Sequence, residues 1–297
     1  MRPSIAGLLL SICSIVGSVS AAGCDKNGPR TRTPRGPLAF GTSAAAVGDR
    51  EGTEYTVKLD LTYEVPFEGE QHHSFLRSAQ YDSEVLEVRR GLPTAVRVAY
   101  RSGREAMIDE YGVDDDETRV GGNRYLVRYE KRDIDIEKES RGKHHASEKM
   151  QLAVDFTRFG GPGALRAQLR GKQLEVGDRV DLSPGEVMDR FAEPHWGSPS
   201  QTADVTSRML SLELTGVRER CGRAVAVFDA AMSLTSEFSD GLATAALTGR
   251  AEFDVETARP VSIQLRGPVA VAPERGAQDI GEGSASFDAR FTEPDCD

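Results

Sequence analysis

The sequence lacks the short motifs that identify the common enzyme classes. It contains no G-x-S-x-G turn, which a serine hydrolase of the α/β type needs, and no H-E-x-x-H helix, which holds zinc in metalloproteases. No segment matches a nucleotide-binding loop or another cofactor motif. The sequence therefore predicts a protein that is not an enzyme and that carries no cofactor.

The sequence also has fewer positively charged side chains than negatively charged ones. The 37 Lys and Arg residues are outnumbered by 47 Asp and Glu residues, which gives a formal net charge of −10. A chain of this charge repels phosphate backbones, so we expect no nucleic-acid partner. After Cys24 the sequence contains no apolar run long enough to cross a bilayer as a helix.

The first 24 residues have the order of an export signal. Arg2 gives a positive start, residues 5–19 form an apolar stretch, and Ala21-Ala22-Gly23 are small residues directly before Cys24. This ending resembles the lipobox of bacterial lipoprotein precursors. The resemblance implies that residues 1–23 are a signal peptide, and that Cys24 becomes an N-terminus acylated with fatty acids such as palmitate.

An acylated Cys24 would anchor the protein to a membrane outside the cytoplasm, in the periplasm or at the cell surface. Cleavage after Ala21 or Ala22 by a general signal peptidase is the alternative, and it would give a soluble secreted protein. Acylation of Cys24 would leave two thiols in the folded part. These are Cys221 and Cys296, which are a candidate disulfide in an oxidising compartment, the alternative being two unpaired thiols.

Composition divides the exported part in two. Residues 24–52 are rich in proline and glycine and show no sustained periodicity, which predicts a flexible tether. Residues 53–297 predict one β-rich domain, in which residues 53–160 and 164–297 are candidate halves of a loose duplication.

Alternation of apolar and polar residues is the main structural signal in the domain. From Tyr55 to Tyr63 every second residue is apolar, which is typical of a half-buried strand. Turn signals rich in glycine separate similar runs. These runs lie at 96–100, 125–129, 134–136, 150–156, 210–214, 228–234, 251–255, 261–265 and 285–291.

Two short helices are expected among the strands. One is predicted at residues 104–111, and a second at about 184–192, where Ser183 and Pro184 resemble an N-cap and a first helical residue. The predicted fold is all-β, mainly an antiparallel meander in the form of a half-barrel or sandwich, with a short helical insertion around 184–192. This architecture is loosely similar to that of the β-rich half-barrel lipoproteins of the cell envelope, some of which carry lipids.

Histidine supplies the candidate metal ligands. His72-His73 and His144-His145 are adjacent pairs, and neighbouring side chains in a strand point to opposite faces. A metal site would need one member of each pair to meet in space, and the spacing supplies no third ligand. We therefore predict no metal site.

The loop after the second predicted helix is the candidate ligand site. Phe191, His195 and Trp196 lie close together there and could form the rim of an apolar groove. The predicted function is that of a non-catalytic cell-envelope lipoprotein, a binding or scaffold module that contacts an envelope protein or an apolar ligand. Two alternatives stay open: a carrier of a lipid or other apolar ligand, and a hydrolase that uses His195.

Overall fold

The computed structural model describes residues 31–65, 69–109, 112–130, 133–145, 148, 151–152, 155–156, 164–182, 204–238, 241–272 and 281–292. Within these ranges the chain is mostly extended, with a short helix α1 at Ala164–Leu169 and helical residues between 148 and 156. None of the described helices has the length and hydropathy needed to cross a membrane.

Fourteen strands are described. In chain order they are β1 (Leu38–Ala39), β2 (Arg50–Val65), β3 (Gly69–Arg89), β4 (Leu92–Asp109), β5 (Gly112–Glu117), β6 (Arg124–Glu130), β7 (Asp133–Lys138), β8 (Gln173–Leu174), β9 (Arg179–Leu182), β10 (Asp204–Arg220), β11 (Arg223–Phe238), β12 (Gly241–Asp254), β13 (Pro260–Ala272) and β14 (Gly281–Thr292).

Twelve of these strands form one antiparallel sheet in the order β7-β6-β4-β3-β2-β14-β13-β12-β11-β10-β9, with β5 paired to β4. Most neighbours in the sheet are consecutive in the chain, as in a meander. The exceptions are the pairing of β6 with β4 and the pairing of β14 with β2, which joins the last strand to the first long one. The sheet is open, with β7 and β9 at its edges, and it confirms the predicted all-β, antiparallel fold.

The alternation in the sequence decides which face of each strand is buried. In β3, for example, burial alternates residue by residue from Phe75 to Tyr81. The buried face carries two clusters. The apolar cluster contains Leu, Val, Ile, Ala, Met and Phe side chains, and it is centred on β10 to β14. The tyrosine cluster lies on β2, β3, β4, β6 and β7 and contains Tyr55, Tyr81, Tyr100, Tyr125 and Tyr129.

The segment before β2 packs against the sheet. Arg32 and Val217 exchange two backbone hydrogen bonds, of 2.8 and 2.9 Å, at the edge of β10. Phe40 is 3% exposed within the apolar cluster, where its ring stacks at 6.2 Å from that of Phe228. The structure therefore corrects the flexible tether predicted for residues 24–52 from Arg32 onward, where the chain packs against the sheet, and residues 24–30 lie outside the described residues. A composition rich in proline and glycine does not reveal that one aromatic side chain fills the core.

The strand predicted at 150–156 is wrong. The described residues in this region are helical: Glu148, Gln151, Leu152, Asp155 and Phe156, here called the helical segment. Their spacing of three and four residues places them on one face of a helix. Leu152 and Phe156 are buried in the tyrosine cluster, so this face packs against the sheet. The alternating run from Met150 to Phe156 contains Leu152 and Phe156, whose spacing of four residues fits a helix as well as a strand.

The helix predicted at 104–111 is also wrong for residues 104–109, which belong to β4. Residues 104–108 each have a strand partner on both sides, in β3 from Ser74 to Ser78 and in β5, and Asp109 pairs with Gly112 of β5. Backbone pairing on two sides outweighs a weak local helix propensity. The helix predicted at 184–192 lies outside the described residues.

Candidate functional site

Most of the predicted site residues lie outside the described part of the chain. This is true of Cys24, Phe191, His195, Trp196 and Cys296. The lipid attachment, the groove rim and the hydrolase alternative therefore stay predictions.

Cys221 is the predicted site residue that the structure does describe. It occupies the two-residue turn between β10 and β11, where Cys221 and Gly222 have φ angles of 52° and 73°. Positive φ at both central positions is typical of a tight type I′ hairpin turn. Cys221 is disulfide-bonded. Its predicted partner, Cys296, is not among the described residues, so that pairing stays a prediction.

The histidine pairs lie in different settings. His72 and His73 are adjacent in β3, where His72 is exposed and its Nδ1 lies 3.3 Å from Thr62 Oγ1. His144 follows β7, and its ring lies 6.0 Å from that of Tyr125. Across the ranges that the structure describes, no three His, Cys, Asp or Glu residues come together as a metal site would require.

The most unusual feature of the interior is the tyrosine cluster. It holds five of the seven tyrosines of the chain. The rings of Tyr81 and Tyr100 lie 5.0 Å apart, and those of Tyr100 and Tyr125 meet edge to face at 5.9 Å. Burial raises the pKa of Tyr55, Tyr81 and Tyr100 well above the usual value. These phenols therefore stay protonated, and those of Tyr55 and Tyr100 act as hydrogen-bond donors.

Asp155 of the helical segment receives those hydrogen bonds. The hydroxyls of Tyr55 and Tyr100 each donate to one of its carboxylate oxygens, and Gln151 Nε2 donates to both, at 3.2 and 3.1 Å. Burial raises the pKa of the Asp155 carboxyl to about 6, although the hydrogen bonds from Tyr100 and Tyr55 act to lower it. A proton can therefore bind here in mildly acidic conditions.

Arg77 lies on the same buried face, between the two clusters. It is 1% exposed, and its Nε donates to Glu105 Oε2 at 2.9 Å, across the β3–β4 pair. Its guanidinium lies 5.7 Å from the centre of the Phe75 ring. The positive charge of Arg77 also acts to lower the pKa of Asp155. The charge of Arg77 therefore acts on two carboxylates, the partly exposed Glu105 and Asp155.

Glu148 attaches the start of the helical segment. One of its oxygens lies 2.5 Å from Lys138 Nζ, and the other accepts a hydrogen bond of 2.7 Å from the backbone N–H of His145. A glutamate that bonds back to the N–H three residues earlier is the second half of a capping box. Burial opposes ionisation of Glu148, but the bonds from Lys138 and His145 lower its pKa overall.

Hydrogen bonds to Asp155 and an ion pair to Glu148 join the helical segment to β2, β4 and β7, so this arrangement positions the segment on the sheet. Gln151 Oε1 is a buried acceptor that has no hydrogen-bond partner among the described residues. Sequence reasoning missed this network. The signal that could have found it is the helical spacing of Glu148, Gln151 and Asp155. Their partners Tyr55 and Tyr100 are 100 and 55 residues from Asp155, and no local pattern links them.

We call β2 to β7 the first half of the sheet and β9 to β14 the second half. The outer face of the first half carries a groove of about 740 Å³. Arg101 bonds both oxygens of Asp82, at 2.8 Å each, and Arg97 lies between Glu84 and Glu139, at 3.4 and 2.9 Å. Exposed pairs of this kind contribute only about 0–1 kcal/mol each to stability. The row of charges, here called the charged groove, is lined by Arg50, Asp82, Glu84, Arg97, Arg101, Arg124 and Glu139.

Comparison with known proteins gives no family. No protein-family model and no curated protein matches the chain. Among solved structures, one similar chain is that of DynF from the dynemicin biosynthesis pathway of Micromonospora chersina. It has 9% sequence identity, a TM-score of 0.20, and an alignment that covers 95% of this chain and 97% of that one. A score this low supports no argument about function.

Proposed function

We propose that this chain is an exported binding or scaffold module of the cell envelope, held at a membrane by an acylated Cys24. The observation that carries the proposal is the disulfide at Cys221. Disulfides persist in oxidising compartments outside the cytosol, where thiols are not kept reduced. This fits the export signal that precedes Cys24 in the sequence.

The charged groove is the surface that suits a binding role. Its arginines and carboxylates are paired at the surface, where ion pairs contribute little to stability. Paired charges hold their side chains in fixed positions, which reduces the entropy lost when a partner binds. A polar, charged segment of another envelope protein is the partner that matches such a surface.

The interior is less suited to a carrier. A carrier needs an apolar face that is left open for its ligand. In the part of the chain that the structure describes, Phe40 and Leu169 are buried within the apolar cluster, at 3% and 0% exposure. These side chains take up space that an apolar ligand would need, which favours the binding module over the carrier.

The anchor is tested by metabolic labelling with a fatty acid. The protein should carry the label and fractionate with membranes, and Cys24→Ser should remove the label and release the protein from the membrane fraction. Ser20→Ala, a conservative change near Cys24, is the matched control and should leave the fatty-acid label in place. Labelling that persists in Cys24→Ser would overturn the anchor.

The binding surface is tested by photo-crosslinking in intact cells. A photoreactive residue at Ala99, which lines the charged groove, should give a defined protein adduct. The same residue at Thr244, exposed on the second half of the sheet, is the control. Adducts at Thr244 but none at Ala99 would show that the partner binds the second half of the sheet and not the charged groove.

A further inference from the structure

The disulfide at Cys221 has a limited choice of partners within the chain, which holds three other cysteines. Cys13 belongs to the predicted signal peptide, and an acylated Cys24 has no thiol left to form a disulfide. Cys296 is the cysteine that remains. This choice of partner rests on the proposed function, because it requires Cys24 to be acylated.

A second groove lies between Cys221 and the last residue of β14, Thr292. It crosses one end of the sheet, and the residue at that end of each of five strands lines it. Since Thr292 is one of these residues, the segment that follows β14 begins in this groove. The five residues, which define what is here called the arginine groove, are Thr292, Pro260, Asp254, Arg223 and Arg220.

The segment after β14 is long enough to reach Cys221 along this groove. Strand pairing places Arg290 of β14 level with Val227 of β11, three strand spacings or about 14 Å away. Cys221 lies about three residues, or about 10 Å, farther toward this end of the sheet than Thr292, so the direct distance is about 17 Å. Four extended residues reach about 14 Å, and a disulfide joins Cα atoms about 5.5 Å apart. The bond therefore requires the segment to be extended, with little slack.

The charge of the segment complements that of the groove near Cys221. Residues 293–297, here called the acidic segment, contain Glu293, Asp295 and Asp297 and no basic residue. In the groove, Arg223 Nη1 lies 3.9 Å from Asp254 Oδ2, at the limit of an ion pair. A carboxylate of the acidic segment would therefore be a suitable second partner for Arg223.

The carboxylates already in the groove have other contacts or lie at its far end. Asp254 Oδ1 accepts hydrogen bonds from the N–H and the hydroxyl of Thr257, at 2.7 and 2.9 Å, and so stabilises the turn after β12. Glu51, which also lines the groove, is next to Gly52, the strand partner of Thr292. Among the described residues no carboxylate pairs with Arg220, so the end of the groove near Cys221 carries the positive charge.

The burial of Val225 fits a segment that crosses this surface. Val225 lines the groove and lies on the same face of β11 as Asp229, which is exposed. Val225 itself is 2% exposed. Covering an apolar side chain on the wet face of a sheet is favourable, and an extended segment along the groove would contribute to that cover.

We propose that the acidic segment lies along the arginine groove as a strap, closed by a disulfide between Cys221 and Cys296. The two thiols lose two protons and two electrons when the bond forms, and a disulfide-bearing oxidant of the envelope takes them up as its own disulfide is reduced to two thiols. Thr292 also lines the charged groove. The strap therefore directs the acidic segment away from the charged groove and leaves that groove open to a partner, and reduction of the bond releases the segment.

The pairing is tested on full-length protein purified from cells without reductant. Digestion and mass spectrometry should give one pair of peptides joined through Cys221 and Cys296, from protein that also carries an acyl chain on Cys24. A link between Cys221 and Cys24 would overturn both the strap and the anchor. A link between the Cys221 residues of two copies would overturn the strap alone, and a Cys221–Cys296 link in protein without acyl chains would overturn the proposed function alone.

The position of the segment is tested with Arg223→Lys and a carbodiimide, which joins a lysine amine to a carboxylate in contact with it. Mass spectrometry should find an amide between position 223 and residues 293–297. Arg266→Lys, on the exposed face of β13, is the matched control and should give no link to that segment. A link from position 223 to Asp254 alone, no link, or equal yields from positions 223 and 266 would overturn the strap.

The role of the bond is tested in the same way. Adding Cys296→Ser to Arg223→Lys should lower the yield of the link to residues 293–297 several-fold, because the segment is then held by charge alone. Adding Glu282→Gln instead, an exposed carboxylate at the other end of β14, is the control and should leave the yield unchanged. A yield that does not fall in Cys296→Ser would contradict a strap closed by this disulfide.

Discussion

The apolar cluster and the tyrosine cluster are built on one continuous sheet, but their interiors differ in chemistry. In the second half, hydrocarbon side chains of the sheet meet hydrocarbon side chains of the covering segment, such as Phe40 and Leu169. In the first half, the covering helical segment presents Glu148, Gln151 and Asp155 to the sheet. Tyrosine explains the difference, because each buried hydroxyl needs a hydrogen-bond partner.

This difference indicates which interactions stabilise each half of the sheet. Hydrocarbon contacts depend on area and shape, and they are insensitive to protons. The helical segment is held through Asp155 and Glu148, whose charges respond to pH. We therefore expect the stability of the first half to depend on pH more strongly than that of the second half, where the described carboxyl with a raised pKa is Asp288 of β14.

The largest expected effect is in the apolar cluster. Phe228 is fully buried, and its ring meets those of Phe40 and Phe253 at 6.2 and 5.6 Å. Phe228→Ala should lower the free energy of unfolding by about 3–5 kcal/mol, because it leaves a cavity in a packed core. Urea denaturation measures the change. Ser233→Ala on the exposed face of the same strand is the control, and an equal loss there would show that the cavity is not the cause.

A smaller effect is expected from the Arg77–Glu105 pair. Glu105→Gln should cost about 2 kcal/mol, because it leaves the charge of buried Arg77 without its carboxylate partner. Adding Arg77→Met should recover most of the loss, since an apolar side chain of similar length needs no counter-charge. A double-mutant cycle measures the coupling, and additive losses would contradict it.

Asp155 should make stability depend on pH. Its pKa is about 6 in the folded chain, above the usual value of about 3.9 in an unfolded one, so the folded state binds the proton more tightly. The stabilisation is complete below pH 4 and is lost as the pH rises through 6. The difference in unfolding free energy between the wild type and Asp155→Asn should therefore change across this window.

Hydrogen exchange at the helical segment gives a local measure of the same effect. Glu148 acts in the opposite sense, because its lowered pKa gives stability that is lost as the pH falls. For this reason the exchange rates of the wild type and of Asp155→Asn are compared with each other at each pH. A difference that stays constant from pH 4 to 7 would show that Asp155 does not titrate as described.

The smallest effect is expected in the charged groove. Arg101→Ala removes an exposed pair with Asp82 and should change the free energy of unfolding by less than about 1 kcal/mol. Thermal unfolding with and without added salt measures this. A larger loss would show that the groove stabilises the sheet, and its role in binding would lose its main support.

The sequence predicted the sheet well where one face is buried and the other is wet. The alternation from Tyr55 to Tyr63 and the runs in β10 to β14 are strands, because a period of two matches the pleat. The sequence predicted the interior poorly where the two residues in contact are far apart along the chain. Phe40 lies in a segment of tether-like composition, and Asp155 meets Tyr55 from 100 residues away. The sites predicted at Cys24, His195 and Trp196 lie outside the described residues.

The backbone bridge between Arg32 and Val217 also decides where mechanical tension enters the fold. A pull on an acylated Cys24 would load this bridge first, and then the ring of Phe40 seated among Leu169 and Phe228. The long hairpins of the sheet would bear load only after Phe40 had been extracted. Under such a pull the N-terminal segment would detach from the body before any strand of the large sheet is stretched.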